Sequence, residues 1–308
     1  MGLTNFPHGV TSFGVPVIGA SIPQTAQGQA WFVDAVNGTS GGGAQHGGAP
    51  DSAFATIQAA VNAASAGDTI FVFPGSYTEN VVVTTDYLTI CGALEGRYGW
   101  PDLVPDSGLP LAVTSAQGFV GRRLRLAATG ADCCVQRGNG FTYEDCVFDG
   151  DGTAAKAGLR LLPSDTDDSY TASEGFIRRN VFRGNANGII FDTGAAPAVG
   201  VGSTDNLIEG NRFYANTLDL ATADTGGGVY SVQTTDILHN TFEDKNKTTY
   251  IDLTTTNGGA AGDQTGAING NVFASDTITT TKIKMVGTGF TFAGNFSTVG
   301  VVDGSGLD

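Results

Sequence analysis

Beyond residue 140 the apolar positions recur with a long period. Five segments align: YEDCVFDG (143–150), IRRNVFRGN (177–185), IEGNRFYAN (208–216), ILHNTFED (237–244) and INGNVFAS (268–275). Each runs aromatic or Ile, two variable residues, Asn (Cys in the first copy), one variable residue, Phe. The framed residues Phe148, Phe182, Phe213, Phe242 and Phe273 are separated by 34, 31, 29 and 31 positions. A degenerate sixth copy, FAGNF (292–296), places its Phe 23 positions further on. A drifting period of about 30 predicts a solenoid with one coil per repeat and loops of variable length.

Between the repeats the chain is rich in Gly, Asn, Thr and Asp and has no amphipathic helical stretch. Strands of three to five residues joined by Asn/Gly corners suit this pattern. Inward Phe residues then stack from coil to coil. Asn180, Asn211, Asn240 and Asn271 form a second column, at a corner where Asn tolerates left-handed dihedrals. Residues 69–300 predict roughly eight coils and a rod of about 40 Å. Upstream, Phe54, Ile57, Ala60, Val61 and Ala64 share one helical face. They predict a helix from Phe54 to Ala64 (about 53–65 with its caps), capped by Asp51 or Ser52 and stopped by Gly67. This helix would cover the open first coil. Short strands are expected at 31–34, Thr69–Phe73, Val81–Val83 and Tyr87–Ile90. Residues 1–30 are punctuated by Pro7, Pro16 and Pro23 and carry scattered apolar residues. They read as an extended arm ahead of a β-helical domain at 31–308. Phe6, Phe13, Val15, Val17 and Ile18 are its candidate docking residues, because solvated linkers seldom carry so many apolar side chains.

The run PDSAFATIQAAVNAASAGDTIFVFPGSYTENVVV (50–83) resembles the opening of right-handed parallel β-helix, pectate-lyase-like proteins. The residues carrying the likeness are Pro50, Phe54, Thr56, Ile57, Ala60, Gly67, Asp68, Pro74, Gly75, Tyr77 and Glu79. The resemblance implies an all-β, right-handed parallel β-helix solenoid with an N-terminal capping α-helix. It is nearly silent on activity, since such a fold hosts lyases, hydrolases, adhesins and viral spikes. The arm, LTNFPHGVTSFGVPVIG, resembles openings of bacteriophage virion proteins with β-helical bodies.

Composition narrows the classes. Gly is 46 of 308 residues, about twice the usual share, without the triplet period of collagen. No stretch of 18 apolar residues occurs and no secretory signal is recognisable, so neither a membrane span nor export is expected. The formal charge is −15, and no Lys or Arg precedes Arg97. An acidic first third is a poor nucleic-acid binder. Arg123 and Arg125, in the run Arg122, Arg123, Arg125, are expected to share one strand face opposite Leu124 and Leu126. Four Cys and three His offer no zinc spacing; four reduced thiols, some of them buried, are expected. The sequons at Asn37, Asn246 and Asn295 read as chance, and the loop 37–50 lacks the Lys of a phosphate-binding loop.

Candidate chemistry is sparse. Successive repeats place Glu144, Arg178, Glu209, Leu238 and Asn269 in one variable column, and Asp145, Arg179, Gly210, His239 and Gly270 in the next. Neither column keeps two carboxylates in adjacent coils, as glycoside chemistry would need; a surface charge ladder is the expectation. DGDG (149–152) and DTDD (165–168) are read as turns, with a calcium site or a catalytic role as the alternatives. Tyr98 and Trp100 either staple a loop to the rod or stack on a sugar. No catalytic residue, metal or cofactor is therefore assigned. The expected function is a phage virion structural protein: a capsid decoration or head-spike protein, made in the host cytoplasm. Its expected state is a homotrimer, bound through its arm to the major capsid protein or another virion protein. A host-surface glycan is a further candidate partner. The alternatives are a tailspike-like polysaccharide depolymerase and a surface adhesin.

Overall fold

The computed structural model describes residues 10–12, 15–18, 28–40, 46–93, 99–164, 171–192, 203–223, 232–245, 247–254, 264–275, 279, 281–285, 289–297 and 300–302, with side chains from 28 to 297. Its strands are two to six residues long and fall in threes along the chain. Thr142–Glu144, Val147–Asp149 and Ala157–Leu161 form one coil; Phe176–Arg178, Val181–Arg183 and Asn187–Asp192 form the next. Each strand pairs in parallel with its counterpart one coil later, Tyr143 opposite Ile177, Phe148 opposite Phe182 and Leu159 opposite Ile189. Three sheets result, of ten, ten and eight strands among the described residues. The eight strands of the third sheet, one per coil, match the expected eight coils.

The Phe column lies on the axis. Phe148, Phe182, Phe213, Phe242 and Phe273 stack with centroids 4.6, 5.0, 5.0 and 4.7 Å apart and are fully buried. Coil spacing matches the strand spacing of a sheet, so in-register rings meet at stacking distance. Phe296 leaves the column. It follows Asn295 directly instead of two positions later, pairs with the outward Val272, and is exposed.

The Asn column is a hydrogen-bonded ladder. The backbone N–H of Asn180 donates to Asn211 Oδ1 (2.9 Å), that of Asn211 to Asn240 (2.9 Å), that of Asn240 to Asn271 (2.8 Å) and that of Asn271 to Asn295 (2.9 Å). Each side-chain amide also donates to a carbonyl one coil back, as Asn211 Nδ2 does to Ile177 (2.8 Å). The left-handed residue is not the Asn, contrary to expectation. It is the residue before it: Asp145, Arg179, Gly210, His239 and Gly270 have φ of 56°, 53°, 66°, 55° and 67°. The chain must reverse just ahead of the inward-pointing amide, so the strain falls on an exposed neighbour.

The same corner corrects the basic run. Arg122 ends the strand Val120–Arg122, Arg123 turns with φ 53°, and Arg125 opens Arg125–Ala127. Arg123 and Arg125 therefore share no strand face, although Leu124 and Leu126 are both buried. Tyr87, expected in a strand, is likewise an exposed corner residue with φ 56°; the strand is Thr89–Gly92.

The capping helix is shorter than its apolar stripe, Ile57–Ala63. Phe54 instead bridges to Val33 and Thr39, and Pro50–Ser52 makes a separate 3-10 turn. Thr56, not Asp51 or Ser52, is the cap, with Oγ1 accepting from Ala59 N at 3.2 Å. Glu79 completes it by accepting from the N–H groups of Ile57 and Gln58 at 2.7 and 2.8 Å. Asp68 accepts from Gln29 N, Trp31 Nε1 and Ser65 N (2.6–2.8 Å). Tyr77 reaches the Phe73 carbonyl at 2.8 Å. The residues that carry the β-helix resemblance thus assemble the closed end of the rod, with Ile57, Ala60 and Val61 covering the first coil.

At the other end, Gly300–Val302 pairs antiparallel with Asn295–Ser297. The chain itself thus pairs with an edge of its own last coil. In the arm, Val10–Ser12 and Val15–Ile18 form an antiparallel pair rather than a wholly extended segment. Phe6 and Phe13 lie outside the described residues, as does any side-chain contact of Val15, Val17 or Ile18.

Candidate functional site

The outward faces carry most of the ionisable groups, and the parallel register stacks them. On the first sheet Glu144 lies between Arg122 Nε (3.0 Å) and Arg179 Nη2 (2.7 Å), and Arg179 Nε also holds Asp145 at 3.0 Å. Arg178 covers the ring of Phe176, 4.4 Å from its centroid. On the second sheet Asp149 Oδ2 receives Arg125 and Arg183, each at 2.6 Å. Burial alone would push the Asp149 carboxyl up; hydrogen bonds from the two guanidinium groups outweigh it and hold the group below its ordinary range. Further along, Arg212 pairs with Glu243 at 2.7 Å and Lys284 with Asp252 at 3.0 Å. On the third sheet the largely buried Arg160 bridges Asp132 (2.9 Å) and Asp192. Each of these carboxylates faces a cation, over all three sheets, but not in the expected Glu144–Arg178–Glu209 column: Arg178 lies over Phe176, and Glu144 pairs with Arg122 and Arg179.

Of the DGDG segment, Asp149 ends the strand Val147–Asp149 and the following three residues connect it onward. Asp149 is held as above, and Asp151 accepts from Gly130 N and Thr153 N at 2.9 and 3.0 Å. DTDD and Tyr98 lie outside the described residues, and Trp100 is half-buried. Among the described residues no group of three His, Cys, Asp or Glu side chains is placed to hold a metal ion. All four cysteines are buried thiols. Burial pushes Cys133, Cys134 and Cys146 up, Cys146 to about 12, so they are protonated and poor nucleophiles at neutral pH. Asn295, at the end of the Asn ladder, is fully buried and no acceptor for a glycan; Asn37 Nδ2 binds Asp34 at 3.0 Å.

Two arrangements escaped the sequence reading. Asn185 and Asn216 form a second buried ladder, Asn185 N donating to Asn216 Oδ1 at 3.0 Å. Its signal was present, since both stand three residues after a framed Phe. The second is a buried charge cluster: Lys247 contacts Asp219 at 2.6 Å and Asp244 at 3.2 Å, close to Tyr250 and Lys282. These residues lie at unequal distances from their framed Phe, so no column revealed them.

No family model matches the chain, and no curated protein matches it. Solved structures do. Pectate lyase Pel9A is similar over 87% of this chain and 75% of its own, with a TM-score of 0.50 and 13% identity. The pectin methylesterase from Aspergillus niger covers 91% and 87% respectively, with a TM-score of 0.36 and 12% identity. With its three parallel sheets, stacked axis and capped first coil, the chain is a right-handed parallel β-helix, the fold of pectate lyase Pel9A.

Proposed function

We propose that the chain is a structural rod of a bacteriophage particle, a capsid decoration or head-spike protein that attaches through its N-terminal arm. The observation carrying this reading is the use made of the outward carboxylates. Glu144, Asp149, Asp132, Asp192, Glu243 and Asp252 each clamp a cation. Hydrolysis of a glycosidic bond by general acid and base needs carboxylates free to face a sugar. Here they hold coils together, which suits a rigid spacer. The arm supports the anchoring role by its sequence, apolar and uncharged, placed ahead of a self-contained rod. The partners under this reading are sister chains, in a homotrimer, and the major capsid protein or another virion protein.

The test is assembly of particles with full-length chain and with residues 1–28 deleted. Full-length chain is expected on the particle surface by cryo-microscopy. The deletion variant is expected to keep its β-sheet spectrum and melting midpoint but to be missing from particles. Decoration by the truncated chain, or release of oligosaccharides from pectic or bacterial surface glycans by the pure protein, overturns the reading.

A further inference from the structure

Between the strands Thr241–Phe242 and Ile251–Leu253, the side chain of Lys247 reaches Asp219 of the preceding coil. Its Nζ lies 2.6 Å from Asp219 Oδ1 and 3.2 Å from Asp244 Oδ2, with side-chain exposures of 5%, 0% and 30% for the three residues. Asn216 Nδ2 donates to the same Asp219 Oδ1 at 3.1 Å. The other carboxylate oxygen, Oδ2, is buried and, like Asp244 Oδ2, has no hydrogen-bond partner among the described residues. Aromatic rings wall the pair: the Tyr250 centroid is 5.7 Å from Lys247 Nζ and 5.9 Å from the Phe242 ring.

As an ion pair this arrangement is costly. Two charges are withdrawn from water and one carboxylate oxygen goes unpartnered. Burial, against the pull of Lys247, pushes the Asp219 carboxyl up to about 6, towards the neutral acid. An amine and a carboxyl group held in contact in a dry site also have a very high effective concentration.

We infer that Lys247 and Asp219 condense into an intramolecular isopeptide bond, with Asp244 as the proton relay. The ammonium gives up two protons through Asp244. The freed Nζ electron pair attacks Cγ of Asp219, and charge developing on Oδ1 is met by Asn216 Nδ2. The Cγ–Oδ2 bond breaks, and Oδ2 leaves as water carrying those two protons. From ammonium and carboxylate the products are one amide and one water, with no net change in protons or electrons. The oxygen lost is the one with no partner, and the oxygen kept retains Asn216. The bond would staple the strand Leu218–Ala223 to the next coil, across 28 residues of sequence. It requires only the cluster itself and holds whether or not the rod belongs to a particle.

The test is the intact mass of the purified, denatured full-length chain, followed by peptide mapping. The expected mass is one water below that of the linear chain, with a branched peptide joining Lys247 and Asp219. Asp219→Ala and Lys247→Arg are expected to lack the branched peptide. Asp244→Asn, which keeps both reacting groups, is expected at the uncondensed mass. An unchanged wild-type mass overturns the inference. So does a lost water that maps to an Asp-Gly succinimide with only linear peptides around Lys247. Either result is independent of where the protein resides.

Discussion

Phe213 and Asn211 stand two positions apart and anchor different columns, one by ring contact and one by hydrogen bonds. Phe213→Ala or Phe242→Ala removes a fully buried ring from a stack and is expected to cost about 3–5 kcal/mol in urea denaturation. Glu209→Ala, on the outer row, should cost under about 0.5 kcal/mol. Comparable losses would mean that the rod is inside out. Asn240→Leu keeps the branching of the side chain but strands the Asn211 N–H and the Ile208 carbonyl, for about 3 kcal/mol. Lys247→Met, which cannot condense with Asp219, leaves that residue as a buried carboxyl without a cation, and the stability of the variant should depend on pH. In the uncondensed chain burial pushes the Asp219 carboxyl up to about 6 against the pull of Lys247, above its unfolded value, and without the lysine it rises further. A group shifted upward contributes stability at low pH and loses it as pH rises through the folded pKa. The variant should therefore be more stable at pH 5 than at pH 8. Carboxylates such as Asp149 and Asp252, shifted downward, titrate below that window and do not blur it. Urea midpoints across this range check the sign.

Each repeat corner combines a left-handed residue with the Asn that follows it. His239 occupies the left-handed position with φ 55°, where a side chain beyond glycine costs about 1–2 kcal/mol. His239→Gly is expected to be neutral or slightly stabilising, and His239→Val to destabilise by about 1–2 kcal/mol, since β-branching adds to the crowding. Thermal midpoints of the two variants decide this. The alternation Gly/Asp/Arg/His at that position was visible in the alignment, yet the strain was assigned to the Asn. Sequence shows which residue types tolerate positive φ; only the backbone path shows which of two adjacent residues must adopt it. The same holds at the closed end. Thr56 and Glu79 both carry the β-helix resemblance, but that Glu79 caps a helix 22 positions upstream is a product of coiling.

At the scale of the molecule, the acidic rod is expected to self-associate as a trimer. Exposed Val272 and Phe296, side by side on the second sheet near its last coil, are candidate contacts, while a charge of −15 per chain opposes them. Light scattering should give about 95 kDa, three times the 31.5 kDa chain, with association strengthened by salt as repulsion is screened. A 31.5 kDa particle at micromolar concentration, unchanged by salt, excludes the trimer.

The repeat frame by itself determined the solenoid, the coil number, the buried Phe column and the Asn column. These follow from one-dimensional periodicity, since stacking neighbours in a solenoid are separated by one period. The outcomes decided by tertiary structure alone are those in which the period slips. Phe296 turns outward because one residue is missing from its frame, Arg123 turns a corner within an apparently alternating run, and Gly300–Val302 folds back on the last coil. The Lys247–Asp219–Asp244 cluster belongs with them. Its members come from a strand of one coil and an irregular turn of the next, and only the packing of that turn against Tyr250 brings the amine to the acid.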